Sequence, residues 1–365
     1  MQKKLIALAI ASAISAPAFA DNANFTFYGA VDVSYDMVST GDGTTTANGA
    51  TAVTGTSKRV VSSNVSKFGF KGAEDLGGGL AAVWQVEQQI NTDDAAKNTF
   101  ASRNTFAGLK SETLGTVLMG IHDTPYKIST RKLDVFGDNI ADNRALLGNK
   151  SSAGFELRPK DVLAYISPAL GGVTVAVATV NLTEGNTTST QKTNTALSLA
   201  AMYDVAPFYG SVAYEKHALE TVAAGANETA TRLGFGFSEE MFSVGLVYEK
   251  TSDNLGAAQV NSLGHTAYYL GGKFNIGQDA VKFAYGKAGV LGTGAAQVAN
   301  SGASQVSVGY DLSMSKRTKL YALYTKISNG KGINYGFSQN SGAASTTSGF
   351  GTSPSAISLG MKHSF

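Results

Sequence analysis

The strongest constraint on this chain is a period-two alternation that recurs along its length, with no second greasy face to go with it. Phe25, Phe27, Val31, Val33 and Tyr35 alternate with Thr26, Tyr28, Asp32, Ser34 and Asp36. Phe242, Val244, Leu246 and Tyr248 alternate with Ser243, Gly245 and Glu249. Val306, Val308, Tyr310 and Leu312 alternate with Gln305, Ser307, Gly309 and Asp311. Ile357, Leu359, Met361, His363 and Phe365 alternate with Ser358, Gly360, Lys362 and Ser364. Residues two apart share one face of a strand, so each segment reads as a strand with one apolar and one polar face. A soluble sandwich turns the apolar faces toward each other. A barrel in lipid turns them outward and keeps the polar faces around a wet lumen. Periodicity alone does not choose between the two.

Three other features favour the membrane barrel. Residues 1–20 read as a secretory signal peptide: Lys3 and Lys4, a short apolar stretch from Leu5 to Ile14, and Ala18-Phe19-Ala20 before a cleavage point at Asp21. Aromatic residues gather at strand ends, where interfacial girdles place them. The connectors alternate short and long. Tight ones include Pro168-Ala-Leu-Gly171, Ser238-Glu-Glu240 and Ile276-Gly-Gln-Asp279; long ones occupy 40–57, 182–193, 252–263, 289–302 and 329–352. Outer-membrane barrels combine short periplasmic turns with longer external loops. No segment approaches the run of ~20 apolar residues that a membrane helix needs.

The predicted strands span 24–39, 58–73, 79–91, 100–110, 115–122, 160–168, 172–181, 194–205, 207–217, 229–239, 241–251, 264–275, 280–288, 303–313, 317–328 and 353–365. That makes one all-β domain over 21–365, a 16-stranded antiparallel transmembrane β-barrel wide enough for an aqueous channel.

Several function classes drop out. Lys plus Arg is 29 and Asp plus Glu is 27; without Lys3 and Lys4 the balance is 27 to 27, so no charge footprint for nucleic acid exists. Zero cysteine removes thiolate zinc sites, iron–sulfur clusters and disulfides. The four histidines, His122, His217, His265 and His363, form no H-E-x-x-H, and no G-x-S-x-G or P-loop occurs. Asp93-Asp94 lacks a following calcium-loop pattern. No enzyme, cofactor or metal is expected.

The longest connector, 123–157, holds Lys132-Leu-Asp-Val-Phe-Gly-Asp-Asn-Ile-Ala-Asp-Asn-Arg144. Asp134, Asp138 and Asp142 repeat at spacing four, which on a short helix gives one acidic face turned to water or to cations. Arg232 belongs to the polar phase of its strand and is a candidate wall charge.

The chain resembles the trimeric general-diffusion porins of Gram-negative outer membranes, particularly those of β-proteobacteria. The matching pieces are Phe27-Tyr-Gly-Ala-Val-Asp32, Ser66-Lys-Phe-Gly-Phe-Lys-Gly-Ala-Glu-Asp-Leu-Gly-Gly-Gly-Leu80, Trp84-Gln-Val-Glu87, Ser102-Arg-Asn-Thr-Phe-Ala-Gly-Leu-Lys110, Gly115-Thr-Val117, Asp123-Thr-Pro125, Ser315-Lys-Arg-Thr318 and Phe365. The resemblance implies an outer-membrane homotrimer whose third external loop folds inward, with loop acids facing wall bases. It implies Lys67 and Arg103 as wall bases, with Arg158 or Lys160 as a third, and Asp134, Asp138 and Asp142 as loop acids. It makes Phe365 the signal read by the barrel-assembly machinery, and lipopolysaccharide a neighbour. One departure thins the ladder: Leu118 and Ile121 stand where the family often has Arg.

Bases on one side of a narrow passage and acids on the other set a transverse field. That field acts over less than the ~8 Å Debye length, so salt screens it weakly. The expected function is a water-filled channel for ions and small hydrophilic solutes, with mild cation preference. The alternatives are a substrate-selective channel with an internal binding site and a surface adhesin or structural barrel.

Overall fold

The structure, a computed structural model, describes residues 25–94, 99–183, 194–255, 260–337 and 349–365. The leader expected over 1–20 lies outside them. Seventeen hydrogen-bonded segments form one sheet, every neighbouring pair antiparallel. Two of them are halves of one strand, so the wall has sixteen. In chain order these are β1 Phe25–Ser39, β2 in two pieces, Ser57–Ser63 and Lys67–Gly77, β3 Leu80–Gln89, β4 Thr105–Ser111, β5 Gly115–Ile121, β6 Val162–Ile166, β7 Val173–Asn181 and β8 Asn194–Val205. The second half comprises β9 Phe208–Leu219, β10 Asn227–Ser238, β11 Phe242–Asp253, β12 Thr266–Ile276, β13 Asp279–Ala288, β14 Ala303–Ser313, β15 Thr318–Asn329 and β16 Ser355–Ser364.

The sheet closes on itself. β1 pairs with β2 on one side and with β16 on the other, Val31 opposite His363 and Ser39 opposite Ser355. Closure satisfies every edge, which lipid demands because no water is there to bond a free edge. The outward phase is apolar and exposed: Leu233 and Phe235 are 47% and 46% exposed, whereas Arg232 between β9 and β11 partners is 1% exposed. Long connectors all leave from one end of the barrel and short turns from the other.

All sixteen expected strands are present; their ends shift by a few residues, most at β2, β4 and β6. β4 begins at Thr105 rather than 100, because Ala101 takes a positive φ of 56° and breaks the extended run before it. β6 covers only Val162–Ile166 rather than 160–168. Pro159 and Pro168 flank it, and neither can donate to a ladder. β2 is interrupted at 64–66, where Val65 has φ 58°. The break is held by Asp32: its carbonyl accepts from the Asn64 amide and the Ser66 hydroxyl, and its own amide donates to Ser66 Oγ.

The buried apolar cluster is off-centre. It joins Tyr126, Leu133, Phe136, Ile140, Leu146, Leu147 and Phe155 of the long connector to inward alanines such as Ala196, Ala200, Ala213, Ala230, Ala267 and Ala284.

Candidate functional site

The connector between β5 and β6 is pinned at its root. Arg158 Nε lies 3.0 Å from Asp123 Oδ1, and Lys127 Nζ lies 2.8 Å from the same oxygen. Burial opposes the charge on Asp123, but Lys127 and Arg158 overcome it and hold the carboxyl well below the usual range. Thr124 then caps a single turn of helix, α1 Pro125–Ile128, its hydroxyl accepting from the Lys127 amide, with proline at the first helical position.

From there the connector packs along the inward phase of β8 to β14. Tyr126 takes a bond from its amide to Ser198 of β8 and gives its hydroxyl to Glu249 of β11 at 2.8 Å. Tyr209 of β9 donates to the Ser129 carbonyl, and Lys132 lies over the Tyr209 ring. A Cβ placed on Gly245 would meet the Leu133 carbonyl at 2.4 Å, and one on Gly309 would meet the Phe136 ring at 2.9 Å. Gln305 of β14 donates to the Ala141 carbonyl. The distal limb returns past β10 and β11. There Gly148 donates to Glu249, and Arg232 binds both Glu249 and Glu156, the latter at 2.5 Å.

The three aspartates come together, but not along a helix. Gly137 and Asp138, the latter at φ 68°, turn the chain between two short 3-10 turns, Arg131–Leu133 and Asn143–Ala145. The turn wraps the acids around two arginines that the sequence reading missed. Arg131 reaches Asp138 at 3.2 Å and Asp142 at 3.1 Å; Arg144 reaches both at 2.7 Å. The expected bare acidic face is therefore replaced by a compact ion cluster. From 123 to 158 the chain carries six bases and five acids.

The acids differ in what they offer a solute. The Asp134 side chain is 0% exposed and accepts from the Phe136 and Asn143 amides and the Tyr269 hydroxyl. Burial, with the Asp142 carboxylate nearby, pushes the Asp134 carboxyl up to about 6. Asp142 is buried and caps the Asn143–Ala145 turn. Burial would raise its carboxyl, but Arg131 and Arg144 hold it well below the usual range. Asp138 alone stays open, at 37%. Burial disfavours its charge too, yet Arg131 and Arg144, then Arg103 and Lys67, keep it well below the usual range. Lys67 stands on β2, and Arg103 binds Glu87 of the neighbouring β3.

On that wall Lys67 and Arg103 share one carboxylate, Glu87 of β3, at 3.6 Å and 2.5 Å. Tyr28 also donates to Glu87, at 3.0 Å. The bank continues across the seam. Lys362 lies 3.6 Å from Asp32, opposite it in register, and opposite Lys319 on its other side. Lys319 and Lys282 both hold Asp311, at 2.8 and 2.9 Å. Arg158 does not join this bank; it binds Asp123 and Asn104 at the connector root. Arg232 is buried under the distal limb and is a fastening, not a charge on the passage. Of the two apolar departures, Leu118 is in the inward phase and buried, whereas Ile121 shares the outward phase of Val117 and Met119. Among the described residues no group of three metal-ligating side chains converges.

Alternation would have found Glu87, since Trp84 and Val86 fix the outward phase of β3. It would equally have found Lys362, Lys319 and Asp311. Nothing in the spacing announces Arg131 and Arg144 as the aspartates' partners.

Comparison with known proteins agrees on one family. A family model described as Gram-negative porin matches residues 7–332. Outer membrane porin protein 32 of Delftia acidovorans is 24% identical over 372 aligned residues, covering 100% of both chains. Major outer membrane protein P.IB of Neisseria sicca is 26% identical over 354 residues, 91% of this chain and 95% of that one. Among solved structures, an anion-selective porin from Comamonas acidovorans matches with a TM-score of 0.73 at 22% identity, over 93% of this chain and 99% of that one. The trimer form of OmpT from Vibrio cholerae matches with a TM-score of 0.66 at 12% identity, over 93% and 99%.

Proposed function

The chain belongs to the Gram-negative porin family, and from that premise we propose that its connector lies across the lumen and narrows it to a passage between Asp138 and the bank of Lys67, Lys362 and Lys319. As a porin it is an outer-membrane channel through which ions and small hydrophilic solutes diffuse passively. The connector's contacts with inward positions of β8 to β14 support the narrowing, because they leave the opposite bank as the free side.

We further propose that the passage prefers anions. The observation that carries this is a difference in access. Side chains of Lys67, Lys319 and Lys362 are 32%, 36% and 34% exposed, while those of their partners Glu87, Asp311 and Asp32 are 6%, 10% and 8% exposed. An ion passing the bank meets ammonium groups first, and rows of accessible fixed charge set selectivity. The expected cation preference rested on a thin basic ladder, the Asp134, Asp138 and Asp142 row and a neutral net charge; pairing of that row with Arg131 and Arg144 weakens the second of these. A Comamonas relative is described as anion-selective. Homotrimeric assembly is proposed on the resemblance and on the trimer described for the Vibrio protein. Lipopolysaccharide contact, a leader cleaved after residue 20 and recognition of Phe365 by the assembly machinery rest on the resemblance alone.

The test is the reversal potential of the channel in a planar bilayer under a KCl gradient. The unaltered protein should favour chloride. Lys67→Gln and Lys362→Gln should each lower the anion-to-cation ratio by roughly fivefold, since one charge at close approach in water is worth about 1 kcal/mol. A cation-preferring channel indifferent to both substitutions would sink the anion reading.

A further inference from the structure

His217 of β9 lies behind the distal limb of the connector, and its side chain is 0% exposed. Its Nε2 is 2.9 Å from Glu215 Oε1, and its Nδ1 is 2.8 Å from Glu228 Oε1. Both glutamates are as deeply buried as the ring. An ionised carboxylate only accepts, so each ring nitrogen has to donate, and only the imidazolium carries a proton on both. A neutral ring would aim a lone pair at one buried carboxylate, leaving that charge without its partner.

The same groups hold the connector. Glu228 accepts the Ser152 amide at 2.7 Å and the Ala153 amide at 2.9 Å. The Phe155 ring stacks on the imidazole, centroids 4.7 Å apart and planes 20° from parallel. No other described cation is placed to replace the imidazolium. β8 offers Ala196 and Ser198 opposite His217 and Glu215. On β10, Arg232 is taken by Glu249 of β11 and Glu156 of the connector. Asp253 of β11, opposite Glu228, is taken by the amides of Leu255, Ser262, Leu263 and Gly264.

We propose that His217, in its charged form, is a positioning residue that fastens the distal limb of the connector to the wall through Glu228, so that loss of its proton frees the limb and unsteadies the channel. The effect on current rests on the connector lining the passage; the fastening itself does not. The sign follows from the pairing: the clamp is made when the ring is charged and lost as the pH rises.

The test is amide hydrogen exchange on the full chain folded in detergent, stepped from about pH 6 to about pH 10, from near the ordinary histidine value upward. Rates at Ser152 and Ala153 are corrected for the intrinsic pH effect. Protection in the unaltered protein should fall by up to roughly tenfold per pH unit while the opened limb has released the proton that the clamped ring still holds, and level off beyond that, with open-channel noise in planar bilayers rising over the same interval. His217→Gln and Glu228→Gln should show low protection throughout and no pH profile. Flat protection across the range in the unaltered protein would overturn the clamp, and that measurement stands even if the variants do not fold. A His217→Gln protein with full protection and an intact profile would overturn it as well. Exchange reads the limb without conduction, so a protected but non-conducting protein would defeat the channel reading and leave the clamp in place.

Discussion

The inner wall has two halves that share one strand phase and are built from different residues. From β8 to β14 glycine and alanine recur at the inward positions under the connector, with Leu133 resting on Gly234, Gly236 and Gly245 and Phe136 on Gly309, and the charges there, Glu215, His217, Glu228, Arg232 and Glu249, are buried in pairs. From β15 through the seam to β3 the inward positions include Lys319, Tyr321, Lys362, Asp32, Lys67 and Glu87. Lipid acts only on the outward phase and cannot account for the contrast. What differs is the neighbour. One half packs against the connector, where added volume has nowhere to go; the other carries lysines about a third exposed, where charge is what is presented. The first half should punish added bulk and the second should punish altered charge.

The largest effect is expected from bulk in the packed half. Gly245→Val puts a side chain against the Leu133 backbone, where neither partner can give way. Overpacking of this kind costs about 1–3 kcal/mol. The connector should be displaced, and single-channel conductance should change severalfold or the heat-resistant folded band on a gel should weaken. Gly272→Val is the control: a Cβ there meets nothing within 4 Å, and conductance should stay as it was.

A smaller effect tests the charged half. Asp138→Asn removes the one well-exposed acid of the turn. Anion preference, read as a reversal potential, should rise by roughly twofold, less than the full close-contact value because salt screens an exposed charge. Asp134→Asn, with a side chain sealed from the passage, should leave the reversal potential unchanged. If the two variants shift it equally, the division between packed and open acids fails.

The smallest effect is the pH dependence of Asp134. Its folded value of about 6 exceeds the ordinary 3.8. A raised value means the folded protein binds the proton more tightly. Stability from this group is thus full below about pH 4 and lost as the pH rises through about 6. Comparing thermal unfolding of the unaltered protein with Asp134→Asn across that window should show a difference that grows on the acid side. A constant offset would mean that Asp134 is ionised throughout.

How much of this was readable in advance follows the same division. Strands were legible because lipid forces a two-residue period on every segment, and even the weakly patterned β6 lies between prolines that mark its limits. The connector was legible from its length. Its internal geometry was not. Spacing four suggested a helix over 134–142, and Gly137 with its Asp and Asn neighbours gave a competing turn signal. The turn prevails because it lets Arg131 and Arg144 reach the acids, and a pairing of that kind depends on where the chain bends. Glu87 was legible in principle from the phase of Trp84. The histidine clamp was not, since Glu228 is eleven residues from His217 and belongs to the next strand.

The seam has a consequence for how the molecule is made. β1 finds one of its two neighbours almost immediately and the other only after the other fourteen strands exist, since β16 is its second partner. That pairing spans nearly the whole chain, the kind of remote contact that slows folding most. Until it forms, the intermediate is an open ribbon with two unpaired borders, each able to recruit a stray strand. Gly29 is where the ends meet: its amide and carbonyl both bond Phe365, and the Phe365 ring lies where a Gly29 side chain would go. The cylinder is therefore closed between the first and the last strand of its sheet, so no part of the wall is sealed until all sixteen strands are in place.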